Sequence, residues 1–135
     1  MAISYKRIEG KYKTRYFKQI VNFYNRYFPE DSNTLIAKNS SIFWLAIKNR
    51  ETIGITRILT DYSRNAILID LIIRKAERNR GVGKHLVNLV SEYCQKKGIK
   101  HLILTTDPRH DWLTNFYKKL GFKLVTDQSL MEFRG

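Results

Sequence analysis

Seven consecutive residues combine glycine with positive charge: Arg78-Asn79-Arg80-Gly81-Val82-Gly83-Lys84. Glycines at the start of a helix leave the first-turn amide groups uncovered, and these amides carry the partial positive charge of the helix end. Such a helix end binds anions, and phosphate groups in particular. The two arginines and the lysine add full positive charges around it. The stretch therefore predicts a site for a phosphate-bearing ligand.

The flanking sequences place this stretch between a strand and a helix. Residues 66–73 form a nearly continuous aliphatic run, as expected for a strand buried on both faces. After the stretch, apolar residues recur at helical spacing: Leu86, Val87, Val90, Tyr93 and Cys94. We therefore expect a loop that connects a buried strand to an amphipathic helix.

The glycine spacing differs from the two commonest phosphate-binding patterns. A Walker loop needs two glycines five positions apart followed by Lys-Ser/Thr, and the dinucleotide fingerprint needs three glycines with a later acidic residue. Arg78-x-x-Gly81-x-Gly83 instead resembles the Q/R-x-x-G-x-G/A signature of the GNAT superfamily of acetyl-CoA-dependent N-acetyltransferases. Residues 115–122, with the sequence NFYKKLGF, resemble the end of the same family's last helix and the start of its next strand. The resemblance covers roughly residues 41–133.

The resemblance implies an α/β fold, in which a mixed, mostly antiparallel sheet has a splayed central strand pair and flanking helices. In that fold the loop amides hold the pyrophosphate of coenzyme A. The pantetheine arm of acetyl-CoA, the co-substrate, pairs with the open backbone of the strand before the loop. Carried onto this sequence, the resemblance implies that Leu71, Ile72 and Ile73 supply those backbone groups. The Ile73 amide would polarise the thioester carbonyl.

The same resemblance implies a general acid but leaves the general base open. Tyr117 occupies the family's usual general-acid position, beside the cofactor, where a phenol would protonate the departing thiolate. Several family members carry a glutamate eleven positions before the loop motif, where this chain has Ile67. Asp70 is the only carboxylate in that strand, but strict alternation places it on the face opposite to Ile67 unless a bulge intervenes. Proton extraction by ordered water is an equal alternative, and other candidates near strand ends are Asp61, Asp107 and His110.

Periodicity and turn residues predict the remaining elements. The first 40 residues contain a weak strand over 3–8, an amphipathic helix over 13–28 and a short helix capped by Asp31 or Ser32. A hairpin over 41–59 follows, in which Gly54 marks a bulge or a close backbone approach. After the long helix, which Gly98 caps, we expect a strand over 100–105, a helix over 111–120 and a final hairpin formed by 123–126 and 130–133.

Length and composition indicate one globular domain over residues 1–135. No apolar run reaches the roughly 18 residues that cross a bilayer, and the N-terminus lacks the apolar region of a signal peptide. We therefore expect a cytoplasmic protein without membrane contact. Cys94 is the only cysteine, so it cannot form an internal disulfide, and its helical phase predicts a core position. The three histidines lack metal-ligand spacing, so we expect no metal.

The chain is strongly basic, with 25 lysines and arginines against 12 acidic residues and a formal net charge of +13. A charge of this size attracts anions and repels cations. It favours an acidic macromolecular partner, such as RNA, a ribosome or an acidic protein surface. A lysine-rich proteome with a solvated face explains it equally well.

We therefore expect an N-acetyltransferase that moves an acetyl group from acetyl-CoA to a primary amine by direct attack, as a monomer or homodimer. An acceptor on an acidic macromolecule, such as aminoacyl-tRNA or a protein N-terminus, fits the charge better than a polyamine does. The alternative is a non-catalytic GNAT-fold regulator that binds acetyl-CoA and a partner protein. Direct nucleic-acid binding without a cofactor would require both motifs to be coincidental.

Overall fold

A computed structural model of the chain describes residues 2–10, 12–27 and 41–135. Contacts between residues divide the chain into two compact units, 1–104 and 105–135. The expected single domain over the whole chain stays a prediction. The short helix expected near Asp31 lies outside the described residues.

The first unit contains a five-stranded sheet whose strands follow one another in chain order. They are β1 (Ser4–Ile8), β2 (Ser41–Lys48), β3 (Glu51–Thr60), β4 (Asn65–Ile73) and β5 (His101–Ile103). The first four strands pair in antiparallel fashion, whereas β5 runs parallel to β4. Isoleucine, threonine and aromatic residues are frequent in β2, β3 and β4, as expected for strands that pack on both faces. The sheet is mixed and mostly antiparallel, which confirms the predicted fold class.

Two helices cover opposite faces of this sheet. The helix α1 (Tyr12–Tyr27) packs on one face, where a core cluster contains Ile8, Ile20, Phe23, Tyr24, Phe43, Leu45 and Ile55. The helix α2 (Val82–Lys97) packs on the other face, where the Trp44 and Tyr93 ring centroids lie 5.4 Å apart. Because Phe43 and Trp44 are neighbours in one strand, their side chains point to opposite faces. We call these two faces the α1 face and the α2 face.

The predicted hairpin of β2 and β3 is present, and Gly54 lies at a close approach. Asn49 and Arg50 both have positive φ, 53° and 64°, the pattern of the tight hairpin turn that matches strand twist. The ladder has an irregularity between Ala46 and Ile47, directly after the pair formed by Ala46 and Gly54. A Cβ atom at Gly54 would lie 2.9 Å from Ile73 Cδ1. Only glycine fits there without a shift of the neighbouring side chain.

The strands β4 and β5 pair over three residues and then separate. Their ladder runs from the pair Asn65 and His101 to the pair Ile67 and Ile103. The predicted strand over 100–105 is therefore too long, because β5 ends at Ile103. Within the described residues, no strand pairs with 68–73 of β4 on this side. This open edge is the splay that the resemblance implies.

The second unit contains one helix, α3 (Asp111–Lys119), followed by Gly121 with a φ of 97°. The predicted final hairpin is wrong, because 123–126 and 130–133 form no strand. Leu130, Met131 and Phe133 are 82%, 90% and 93% exposed. Alternating apolar residues do not make a strand by themselves, since an isolated hairpin is at best marginally stable in water.

Among the described residues, none of the helices combines the length and the apolar character needed to cross a bilayer.

Candidate active site

The segment between β4 and α2 has the backbone shape of an anion-binding loop. It contains a single 3-10 turn, Lys75–Glu77, and then two residues with positive φ, Asn79 at 64° and Gly81 at 81°. From Arg78, with a φ of −71°, to Gly81, the sign of φ thus alternates along the backbone. Alternation of this kind turns successive amide groups toward one side, which forms a concave nest for an anion.

The first turn of α2 extends this loop. The backbone amide of His85 donates to the Gly81 carbonyl oxygen over 3.0 Å, which is the first hydrogen bond of the helix. The amides of residues 82–84 precede it, so they have no acceptor within the helix. The loop and the helix end therefore present consecutive backbone donors, as the sequence predicts for this stretch.

The three basic side chains of the loop do not act alike. Arg78 folds back, and its Nε donates to the Ile73 carbonyl oxygen over 2.9 Å. The Arg80 side chain is 62% exposed, and Lys84 is exposed as well. Arg78 therefore fastens the loop to the end of β4, while Arg80 and Lys84 supply positive charge at the surface.

Two ion pairs that the sequence analysis missed fix the loop to the β2–β3 hairpin. Lys48 Nζ lies 3.0 Å from Oε1 of the buried Glu77. Arg74 Nη1 lies 3.0 Å from Glu51 Oε2, and its Nη2 donates to the Thr52 carbonyl oxygen over 3.1 Å. One signal could have identified Glu77, since it is the only acidic residue among the four basic residues of 74–80.

The open edge of β4 ends where the loop begins. Leu71, Ile72 and Ile73 pair with Thr56, Ile55 and Gly54 of β3 on one side. Their other side faces the splay, and within the described residues no strand occupies it. An exposed strand edge of this kind can pair with an extended ligand. The three residues expected to hold the pantetheine arm are thus brought next to the loop expected to hold the pyrophosphate.

A β-bulge in β4 decides the direction of Asp70. Arg57 pairs with Asp70, but the next residue of β3, Ile58, pairs with Leu68, so Ile69 is an extra residue. The bulge places Asp70 on the α1 face together with Ile67, contrary to strict alternation. Its Oδ2 accepts a hydrogen bond from the Tyr24 hydroxyl over 2.9 Å and lies 3.1 Å from Arg57 Nη2.

The other candidate bases have structural partners. Asp61 Oδ1 accepts hydrogen bonds from the amides of Ser63, Arg64 and Asn65, and these bonds hold the pKa of Asp61 well below its usual range. In the second unit, the Arg109 guanidinium forms paired hydrogen bonds with Asp107 and likewise lowers its pKa. His110 Nε2 lies 3.9 Å from Asp107 Oδ2.

Tyr117 is buried within the second unit. Its ring centroid lies 5.0 Å from that of Phe116 and 5.6 Å from that of Phe122, both at steep interplanar angles. Burial raises the pKa of its hydroxyl to about 12. The hydroxyl is therefore protonated at neutral pH. Its role as general acid stays a prediction.

Two cavities of about 480 and 470 Å³ lie elsewhere in the first unit. Both border Tyr93 and Lys97 of α2 and residues within β1 or directly after it, and neither is lined by a predicted site residue. Because neither cavity borders residues 68–73 of β4 or the loop of residues 78–84, these cavities do not mark the candidate site. Within the described residues, no group of His, Cys, Asp and Glu is placed to hold a metal ion.

Known proteins share both the sequence pattern and the fold. The family model described as acetyltransferase (GNAT) family matches residues 8–122. An uncharacterized N-acetyltransferase, ycf52, from Gracilaria tenuistipitata var. liui is 33% identical over 88 residues, which are 65% of this chain and 46% of the relative. The matched part of this chain therefore covers less than half the length of that relative.

Two solved structures share the fold at low sequence identity. The aminoglycoside N-acetyltransferase AAC(6')-Iy in complex with a CoA-containing bisubstrate analogue has a TM-score of 0.78 at 14% identity, covering 100% of this chain and 99% of that chain. The ribosomal-protein-alanine N-acetyltransferase from Brucella melitensis biovar Abortus 2308 has a TM-score of 0.75 at 10% identity, covering 98% and 100%. Because the family model matches most of the sequence, the chain belongs to the acetyltransferase (GNAT) family.

Proposed function

We propose that the protein is an N-acetyltransferase, which transfers the acetyl group of acetyl-CoA to a primary amine by direct attack. The observation that carries the proposal is the open edge of β4 at Leu71–Ile73, followed by a loop and by a helix end whose amides at residues 82–84 have no acceptor within the helix. A strand edge binds an extended amide-containing arm, and a helix end binds phosphate. Acetyl-CoA carries both groups in one molecule.

In this proposal each part of the site has one role. The amides of residues 79–84 hold the pyrophosphate, and the charges of Arg80 and Lys84 add electrostatic attraction. The backbone of Leu71, Ile72 and Ile73 aligns the pantetheine arm. The Ile73 amide donates to the thioester oxygen, where negative charge develops as the amine attacks.

Acetyl transfer also requires two proton movements. An alkyl amine with a pKa near 10.4 must lose a proton before it attacks, and the leaving thiolate must gain one. We assign Tyr117 as the proton donor, because it occupies the position of the family's general acid and its phenol is protonated at neutral pH. For the amine proton, the candidates are Asp70, on the α1 face of β4, and ordered water.

The net charge favours an acceptor amine on an acidic macromolecule. With 25 basic and 12 acidic residues, the protein repels a polycationic acceptor and attracts an anionic carrier. Aminoacyl-tRNA and the N-terminus of an acidic or ribosomal protein fit this condition. An unbiased acceptor screen with acetyl-CoA, read by thiol release, tests it, and acetylation of a polyamine alone would contradict it.

A matched pair of glycine substitutions tests the cofactor site. Gly81 and Gly98 cap the two ends of α2, both have positive φ, and a Cβ atom would meet nothing within 4 Å at either position. Alanine in this left-handed conformation costs about 1–2 kcal/mol at each site. We expect Gly81→Ala and Gly98→Ala to lose similar stability.

Only Gly81→Ala should also weaken acetyl-CoA binding, by about tenfold or more in calorimetry. Absence of binding by the wild-type protein, or equal weakening in both variants, would refute the proposed site. Binding of acetyl-CoA without thiol release from any acceptor would instead support the alternative of a non-catalytic regulator.

A further inference from the structure

We propose that Tyr24, Arg57 and Asp70 form a positioning cluster, which holds the bulge of β4 and thereby aligns the open strand edge for acetyl-CoA. The inference rests on the proposed function, and it assigns Asp70 a role other than that of general base.

Asp70 is held through both its side chain and its backbone. Its carboxylate Oδ2 contacts the Tyr24 hydroxyl at 2.9 Å and Arg57 Nη2 at 3.1 Å. Its carbonyl oxygen accepts a hydrogen bond from Thr56 Oγ1 over 2.6 Å. Thr56 is fully buried, and the side chains of Arg57 and Asp70 are only 14% and 17% exposed.

These contacts come from both faces of the sheet. Thr56 and Arg57 are consecutive residues of β3, so their side chains point to opposite faces. Tyr24 reaches the same carboxylate from α1, and the Arg57 guanidinium lies 5.8 Å from the centroid of the Tyr24 ring. A bulge disrupts the ladder and leaves one residue unpaired. Here side chains from α1 and β3 supply polar contacts around the bulge.

The bulge determines the directions in which Ile72 and Ile73 point. Ile72 packs against the core on the α1 face. Ile73 pairs with Gly54, and a Cβ atom at Gly54 would point toward Val82 and Leu86 on the α2 face. A shift of one residue in β4 would exchange these two directions. It would also move the Ile73 amide, the proposed donor to the thioester oxygen. The cluster therefore fixes the register on which the cofactor geometry depends.

The contacts of Asp70 fit a positioning role better than that of a base. A general base must reach the proton of the acceptor amine. Asp70 Oδ2 is instead engaged by α1 and β3, two elements of the protein itself. Burial, followed by the charge of Asp70, raises the pKa of Tyr24, so this phenol remains a hydrogen-bond donor to the carboxylate at neutral pH.

Calorimetry with acetyl-CoA in the absence of an acceptor tests the cluster. A general base acts on the acceptor, so removal of a base leaves the affinity for acetyl-CoA unchanged. Loss of the bulge geometry instead weakens the affinity for acetyl-CoA. We expect Tyr24→Phe and Asp70→Asn to raise the Kd for acetyl-CoA by about tenfold, the factor that corresponds to one lost bond of moderate strength.

Thr60→Val is the matched control. The buried Thr60 hydroxyl donates to the Asn65 carbonyl oxygen over 2.7 Å, so it also joins β3 to β4, but at the closed end beside β5. Its loss should lower the melting temperature without changing the Kd. The inference would be overturned if Tyr24→Phe bound acetyl-CoA with wild-type affinity and Asp70→Asn kept its affinity but lost turnover. That result would identify Asp70 as the base. Absence of binding by the wild-type protein would refute the proposed function itself.

Discussion

Replacement of Gly54 by alanine should destabilise the protein, although alanine is intrinsically better suited to a strand than glycine. The new methyl carbon would lie 2.9 Å from Ile73 Cδ1, 3.3 Å from Val82 Cγ1 and 3.4 Å from Leu86 Cδ1. Carbon atoms pack best at about 3.5–4.0 Å, so Ile73 Cδ1 must move by at least about half an ångström. This shift acts on the residue at the end of the open β4 edge.

The expected magnitude follows from two opposing effects. The reduced freedom of the unfolded chain favours alanine by about 0.4–1 kcal/mol. Overpacking of a closely fitted core costs about 1–3 kcal/mol. The free energy of unfolding should therefore fall by about 1 kcal/mol, which lowers the melting temperature by about 4 °C for a protein of this size.

A double-mutant cycle tests whether the proposed clash is the cause. Ile73→Val removes Cδ1, the atom closest to the new methyl group. In urea unfolding, Gly54→Ala should therefore cost less in the Ile73→Val background than in the wild type, with a coupling of about 0.5 kcal/mol or more. A Gly54→Ala protein as stable as the wild type, or equal costs in both backgrounds, would refute the steric argument.

Two further predictions concern single side chains. Tyr117→Phe should lower kcat by about a hundredfold or more, because the acid that protonates the thiolate is lost. The affinity for acetyl-CoA should stay close to that of the wild type. An unchanged kcat would refute the assignment of Tyr117 as general acid. Asp61→Ala should destabilise the protein in a pH-dependent way, because hydrogen bonds from the amides of Asn65, Ser63 and Arg64 lower the folded-state pKa of Asp61 below its ordinary 3.8. The stability difference from the wild type should be complete above pH 3.8 and decrease steadily below it, and thermal unfolding that shows a constant difference from pH 7 to pH 2 would contradict this account.

Features governed by local sequence were predicted correctly. The order of the described elements from β1 to α3, the turn after Lys48 and the end of α2 at Gly98 follow from periodicity and turn chemistry, which act over a few residues. The loop of residues 78–84 was also evident, because its glycines and charges are consecutive. Cys94 is buried in α2, as its helical phase predicts.

Features that depend on a distant partner were not predictable in the same way. The final hairpin was expected from alternation alone, but a strand also needs a neighbour to complete its hydrogen bonds. The ion pair of Lys48 with Glu77 joins residues 29 positions apart, and no local pattern records such a pair.

The sequence by itself determined that a basic, glycine-containing loop joins a buried strand to a helix, because each of these properties belongs to neighbouring residues. Only the tertiary structure decided where Asp70 points and which backbone edge is open. The first depends on one extra residue in the pairing of β4 with β3, and the second on the point at which β5 separates from β4. Strand register and strand length arise from packing between segments that are far apart in the chain, so they become visible only after folding.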